Sequence, residues 1–144
     1  MKFVVESENS LVNKIYEAIS PFLKGGAVFG LEGDLGAGKT TLVQGLAKKM
    51  NIQGPVTSPT FSIIKRYSIE GSDLKLQHLD LYRFEKPLEA DRMEIMEVLE
   101  DKKAISFVEW PERLEGLQKK MVNLIKIKQV DQNKREVEIV KLNH

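Results

Sequence analysis

Residues Gly33-Asp34-Leu35-Gly36-Ala37-Gly38-Lys39-Thr40 have the spacing G-x-x-x-x-G-K-[ST]. These residue types at these positions can hold the phosphates of a nucleotide. The glycines let the backbone turn sharply and bring its N–H groups close to phosphate oxygens. Backbone amides from Leu35 through Gly36, Ala37 and Gly38 to Thr41 can then cradle the α- and β-phosphates. A helix beginning at Lys39 points its positive end at the same place. The Lys39 ammonium can reach the β- and γ-phosphates, and the Thr40 hydroxyl can ligate Mg²⁺. With Gly at ~7% of residues, the four fixed positions arise by accident in roughly one chain of this length in a few hundred. The context strengthens the assignment: the apolar run Ala27 to Glu32 precedes the loop, and a segment with an apolar stripe follows it.

Such a loop works with an acidic group at the end of a neighbouring strand, which holds or orients Mg²⁺ and water. Asp80 follows Leu74 to Leu79, and Glu109 follows Ala104 to Val108. Glu109 comes directly after the most apolar run and fits the position better. Thr40 with two carboxylates would supply oxygens for Mg²⁺ beside the nucleotide and retained waters. His78 has no metal-binding companions in the sequence, so a packed or hydrogen-bonding role suits it better than that of a general base. Trp110 should lie near the nucleotide if Glu109 does.

The elements that must position these groups can be read from the hydrophobic pattern. Lys2 to Glu6 is a short strand. Ser10 is the expected N-cap of a helix to about Phe22, with Leu11, Ile15, Ile19 and Phe22 on one stripe. Ala27 to Glu32 is a strand buried on both faces, and Lys39 to about Met50 a helix with Leu42, Val43, Leu46 and Met50 inward. Thr60 to Tyr67 and Leu74 to Leu81 form two strands around the turn Glu70-Gly71-Ser72-Asp73. Pro87 to Glu100 is an acidic helix with Leu88, Ile95, Met96 and Leu99 inward. Ala104 to Val108 is a buried strand. Val122 to Lys128 and Arg135 to Leu142 alternate as a C-terminal antiparallel hairpin. The expected fold is α/β, a phosphate-loop three-layer α/β/α architecture with a mixed central sheet and C-terminal antiparallel strands.

Composition narrows the chemistry further. The 144 residues suit a single domain, residues 1–144, with 42% hydrophobic and 30% charged side chains. No cysteine is present, which excludes disulfide scaffolds, thiolate metal sites and thiol nucleophiles. The net charge of +1 argues against independent binding of a bulk polyanion such as tRNA. Charge is nevertheless uneven: Glu85 to Glu115 holds ten acidic and five basic residues (−5), and Lys119 to His144 seven basic and three acidic (+4). Either segment is a solvated face or a docking surface for a partner of opposite charge. No apolar run approaches the ~20 residues of a membrane span, and the first residues do not resemble a secretory leader. The expected location is the cytoplasm, with no membrane partner.

Guanine-nucleotide signatures are missing, because no Asp is followed three positions later by Gly and Asn133-Lys134-Arg135-Glu136 is not N-K-x-D. A small-molecule phosphate-loop kinase is the alternative, although the few arginines are scattered and there is little room for a lid or second substrate domain. Four segments together resemble the bacterial TsaE (YjeE) family: Gly33 to Thr41 (GDLGAGKTT), Ser58 to Phe61 (SPTF), His78 to Arg83 (HLDLYR) and Glu109-Trp110-Pro111 (EWP). The loop alone singles out no family; the quartet in this order and spacing does. The resemblance implies a weak Mg²⁺-dependent ATPase. That protein acts with TsaB and TsaD in placing a threonylcarbamoyl group on the tRNA adenosine beside the anticodon. TsaD does the transfer, and tRNA is met only through the complex. It also implies ATP and Mg²⁺ as cofactors, Lys39 on the phosphates, Thr40 and Glu109 at Mg²⁺, Asp80 near the metal and the water, and Thr60 facing the γ-phosphate. Ser10 stands where many relatives have Thr, which implies a nucleotide contact through its hydroxyl. Arg83 is an internal candidate for extra charge at the γ-phosphate.

Overall fold

The structure, a computed structural model, describes residues 1–34, 36–57 and 63–142. Seven strands form one sheet: β1 Lys2–Val5, β2 Val28–Glu32, β3 Ile64–Ser68, β4 Lys75–Asp80, β5 Ala104–Glu109, β6 Asn123–Gln129 and β7 Arg135–Lys141. Three helices accompany them: α1 Glu8–Ile19, α2 Lys39–Lys49 and α3 Glu89–Val98. The strand order is β1-β7-β6-β2-β5-β4-β3. β6, β2, β5 and β4 run parallel in the middle. β7 and β1 on one flank and β3 on the other are antiparallel. This is the expected α/β architecture with a mixed sheet and a C-terminal antiparallel pair.

Strand alternation sorts the core into two layers. Phe29, Leu31, Leu76, Ile105, Phe107 and Val137 point to the face covered by α1 and α2. Val28, Leu79, Val108, Leu117 and Met121 point to the other face, with Ile95 and Leu99 from α3 and its C-cap. Phe29 and Phe107 are register partners and stack with centroids 5.1 Å apart. The same parity puts His78, Asp80, Glu109 and Arg135 on the α2 face. The central strands are parallel, so the C-terminal ends of β2, β5 and β4 sit together, where such sheets bind ligands.

Several boundaries differ from expectation. α1 begins at Glu8: Ser7 is the N-cap, its Oγ accepting the Ser10 N–H at 3.0 Å. The first turn is polar, so apolar periodicity, which starts at Leu11, marks the helix one turn late. The helix also ends sooner, and Ser20–Phe22 form a 3₁₀ turn. Leu88 is 70% exposed rather than inward. It occupies the N-cap position of α3 in extended conformation, its N–H donating to Asp91, and so stands off the buried face. β3 spans Ile64–Ser68. The earlier part of that expected strand, residues 60–62, lies outside the described residues. Among the described residues no helix is long and apolar enough to cross a membrane.

Candidate active site

β2 leads directly into the glycine loop, and α2 begins at Lys39 with Gly38 as its N-cap. Gly38 is in the left-handed region at φ +107°, where a side chain would be strained. Gly33 is constrained differently, because a Cβ there would lie 2.5 Å from the Ile127 carbonyl oxygen on β6. The loop is thus pressed against its neighbouring strand before it turns into the helix.

Lys39 is 5% exposed. Its ammonium donates to the Gly33 carbonyl oxygen and lies 3.8 Å from the centroid of the Trp110 ring. Burial lowers its pKa, opposed by Glu109, Glu112, Asp80 and Asp34. Thr40 Oγ1 donates to Glu109 Oε2 at 2.9 Å. His78 Nε2 lies 2.6 Å from the same oxygen, and both His78 and Glu109 are buried. His78 Nδ1 is buried without a hydrogen-bond partner, so the ring proton belongs on Nε2, donating to Glu109. Asp80 is the register partner of Glu109 across the parallel β4–β5 pair. Burial raises its pKa, against the Tyr82 N–H that donates to Oδ1 at 3.0 Å, while the Glu109 charge adds to the rise.

These groups meet in a cleft of about 240 Å³ bounded by Gly38, Lys39, Thr40, Asp80, Glu109 and Trp110. Trp110 adopts a left-handed backbone at φ +59°. That conformation is costly for a bulky residue and here turns the ring onto Lys39. Tyr82 packs on Trp110 with centroids 5.1 Å apart, and the Arg113 guanidinium lies over both rings, 5.6 and 5.2 Å from their centroids. The oxygen donors suit a hard divalent cation. Among the described residues no three His, Cys, Asp or Glu side chains cluster to hold a metal by themselves. An ion here would share Thr40 and Glu109 with phosphate oxygens and water, the mode Mg²⁺ favours.

A family model described as Threonylcarbamoyl adenosine biosynthesis protein TsaE matches residues 6–137. The chain belongs to the TsaE family. Relatives named tRNA threonylcarbamoyladenosine biosynthesis protein TsaE include one from Nostoc sp., 40% identical and covering 98% of this chain and 85% of the relative. Another, from Aquifex aeolicus, is 38% identical and covers 94% and 92%. The crystal structure of Bacillus subtilis YdiB superposes with a TM-score of 0.73 at 28% identity, covering 99% of this chain and 86% of that one. The family description gives threonylcarbamoyl adenosine biosynthesis, and the names of the relatives place it on tRNA.

Within the TsaE fold, Gly36, Gly38, Lys39, Thr40, Thr41, Asp80 and Glu109 converge on one cleft. Ala37 is buried beneath the loop. Leu35 and Thr60 lie outside the described residues. Ser10 sits in the first turn of α1 and lines neither the cleft nor the groove between α1 and α2. Arg83 is exposed and does not line the cleft. Tyr82, which lines the cleft, and Arg113, which packs on Tyr82 and Trp110, join the site without being expected from the sequence. Tyr82 lies two residues beyond Asp80 and Arg113 four beyond Glu109, so proximity to the two acids was the available signal. The His78–Glu109 contact had no signal in spacing, since it spans 31 positions.

Proposed function

We propose that this TsaE chain binds ATP with Mg²⁺ and hydrolyses it slowly, as the ATPase subunit that works with TsaB and TsaD in threonylcarbamoylation of tRNA. The observation that carries the reading is the convergence of Lys39, Thr40, Asp80 and Glu109 on one cleft at the start of α2. Loop amides hold the α- and β-phosphates, and Lys39 leaves the Gly33 carbonyl to neutralise charge developing between the β- and γ-phosphates. Bound Mg²⁺ supplies charge neutralisation at those same oxygens. Thr40 and Glu109 would hold the ion, with His78 fixing the carboxylate. Asp80, aligned beside Glu109 in the parallel register, positions the attacking water. Thr60, which lies outside the described residues, is assigned to sensing the γ-phosphate. Catalysis of this kind is mostly positioning and electrostatics. A slow isolated enzyme then needs an element that the TsaB–TsaD complex supplies or orders, and tRNA is engaged through that complex. The site of action is the cytoplasm.

The test is ATP hydrolysis by the purified chain alone and with TsaB and TsaD from the same organism, with Lys39→Ala as control. Slow turnover that rises several-fold with the partners and disappears in the control is expected. Phosphate appearing on an acceptor instead of as free phosphate would replace this reading with a kinase. No turnover under any condition would overturn the ATPase assignment.

A further inference from the structure

His78 stands in the middle of β4 with no exposed surface. Its register partners are Lys65 on β3 and Phe107 on β5. Glu109, two residues beyond Phe107, is therefore its diagonal neighbour on the α2 face. Phe107, and Leu76 two residues before His78, belong to the apolar layer beneath α1 and α2. A leucine or phenylalanine in place of His78 would extend that layer and leave no polar atom behind. The imidazole leaves one: Nδ1 is buried without a hydrogen-bond partner, which costs free energy. What the histidine gains in return is a single N–H, on Nε2, aimed at Glu109 Oε2 2.6 Å away.

A count of lone pairs gives that contact a consequence. A carboxylate oxygen has two. On Glu109 Oε2, one accepts from His78 and the other from the Thr40 hydroxyl at 2.9 Å. Oε2 is thus saturated by the protein. Among the described residues no hydrogen bond reaches Oε1, and Glu109 lines the cleft. The two donors are not alike. Thr40 belongs to the first turn of α2, beside the loop, whereas His78 is set in the centre of a strand with neighbours on both sides. The histidine is the fixed point that keeps the carboxylate from turning.

This bears on which cation the cleft accepts. Ca²⁺ takes both oxygens of one carboxylate readily, within a loose shell. Mg²⁺ demands near-ideal octahedral geometry and keeps several waters. A glutamate with only one free oxygen suits the second ion and denies the first its bidentate grip.

We propose that His78 is a positioning residue that sets the choice of ion: by holding Oε2 together with Thr40, it confines Glu109 to a single free oxygen and so favours Mg²⁺ over Ca²⁺ at the nucleotide site. This rests on the Mg²⁺–nucleotide reading above and adds to it the group that discriminates between cations.

The experiment measures ADP affinity by calorimetry in Mg²⁺, in Ca²⁺ and in chelator, for the wild-type chain, His78→Leu and His78→Gln, alongside thermal melts without ligand. The wild type is expected to bind ADP more tightly with Mg²⁺ than with Ca²⁺. His78→Leu should lower that ratio about tenfold and leave affinity in chelator unchanged. His78→Gln, whose amide N–H can take the place of Nε2–H, should recover most of the ratio. An unchanged ratio in folded His78→Leu would overturn the proposal. Equal weakening in all three media would also overturn it, by showing that His78 only shapes the site. If neither variant folds, the wild-type ring decides. The chain has two histidines, His78 and the last residue His144, so nitrogen NMR can read the His78 tautomer in the Mg²⁺–ADP complex. A proton on Nε2 supports the proposal, and an Nε2 without its proton overturns it. A wild-type chain that binds ADP equally with both ions removes this proposal alone. One that binds no ADP in any medium removes the phosphate-loop reading, and this proposal with it.

Discussion

The loop side of the cleft comes from one stretch, Gly33 to Thr41, whereas the acidic side is gathered from β4, β5 and the turn beyond β5. On the loop side, chain continuity does the positioning: a strand end, two constrained glycines and a helix start. On the acidic side, two polar groups from separate elements share one carboxylate oxygen. Thr40 and His78 both meet Glu109 Oε2, at 2.9 and 2.6 Å. The lesson is that the two sides should fail differently. Damage to the loop should cost chemistry more than folding, and damage to the buried acid should cost both.

The largest expected effect is that of Lys39→Ala on ATP turnover, a loss of about a hundred- to a thousandfold. Its urea midpoint should barely move, because the burial cost of the ammonium offsets its contacts. A strongly destabilised Lys39→Ala protein would break the comparison from the loop side. Glu109→Gln should lower turnover by roughly a hundredfold. It should also lower unfolding free energy by about 1–3 kcal/mol, because buried His78 and Thr40 lose their charged acceptor. Wild-type stability in that variant, read from urea titration, would break the comparison from the acidic side.

Arg113→Ala should destabilise the chain by about 0.5–1 kcal/mol, the loss of its stacking on Trp110 and Tyr82. Exposed Arg83→Ala should show a smaller change in the same melt and leave partner-stimulated turnover unchanged, because Arg83 does not line the cleft. The smallest effect belongs to the surface. The Lys75 ammonium, 2.7 Å from Asp101, holds that carboxyl below its usual pKa. A lowered folded-state pKa gives stability that is present above the unfolded value and lost as pH falls through the folded one. Asp101→Asn should therefore lower the melting temperature only marginally at neutral pH, and the difference should vanish in acid.

Much of the fold is legible because burial imposes period. The runs at 28–32 and 104–109 are apolar on both faces, as strands covered by helices must be. α2 follows from its stripe and from the loop before it. The misplaced start of α1 shows the limit: Glu8 and Asn9 belong to the helix but contribute nothing to its apolar face, so periodicity is silent until Leu11. Leu88 fails for the opposite reason. It is apolar and correctly spaced, but its backbone is extended, which removes it from the helix surface.

By itself the sequence determined the glycine-rich loop before α2, the order of the elements, the layer class and the two acids that end buried strands. Each rests on local chemistry or on short-range periodicity, which a single chain records directly. Tertiary structure alone decided that Asp80 and Glu109 stand side by side, that His78 holds Glu109, that Trp110 covers Lys39, and that Arg135 lies on Gly38. Those contacts depend on parallel register between β4 and β5 and on β7 returning to the loop end of the sheet. Pairing of distant strands is set by how the whole core packs, and no spacing within a segment encodes it.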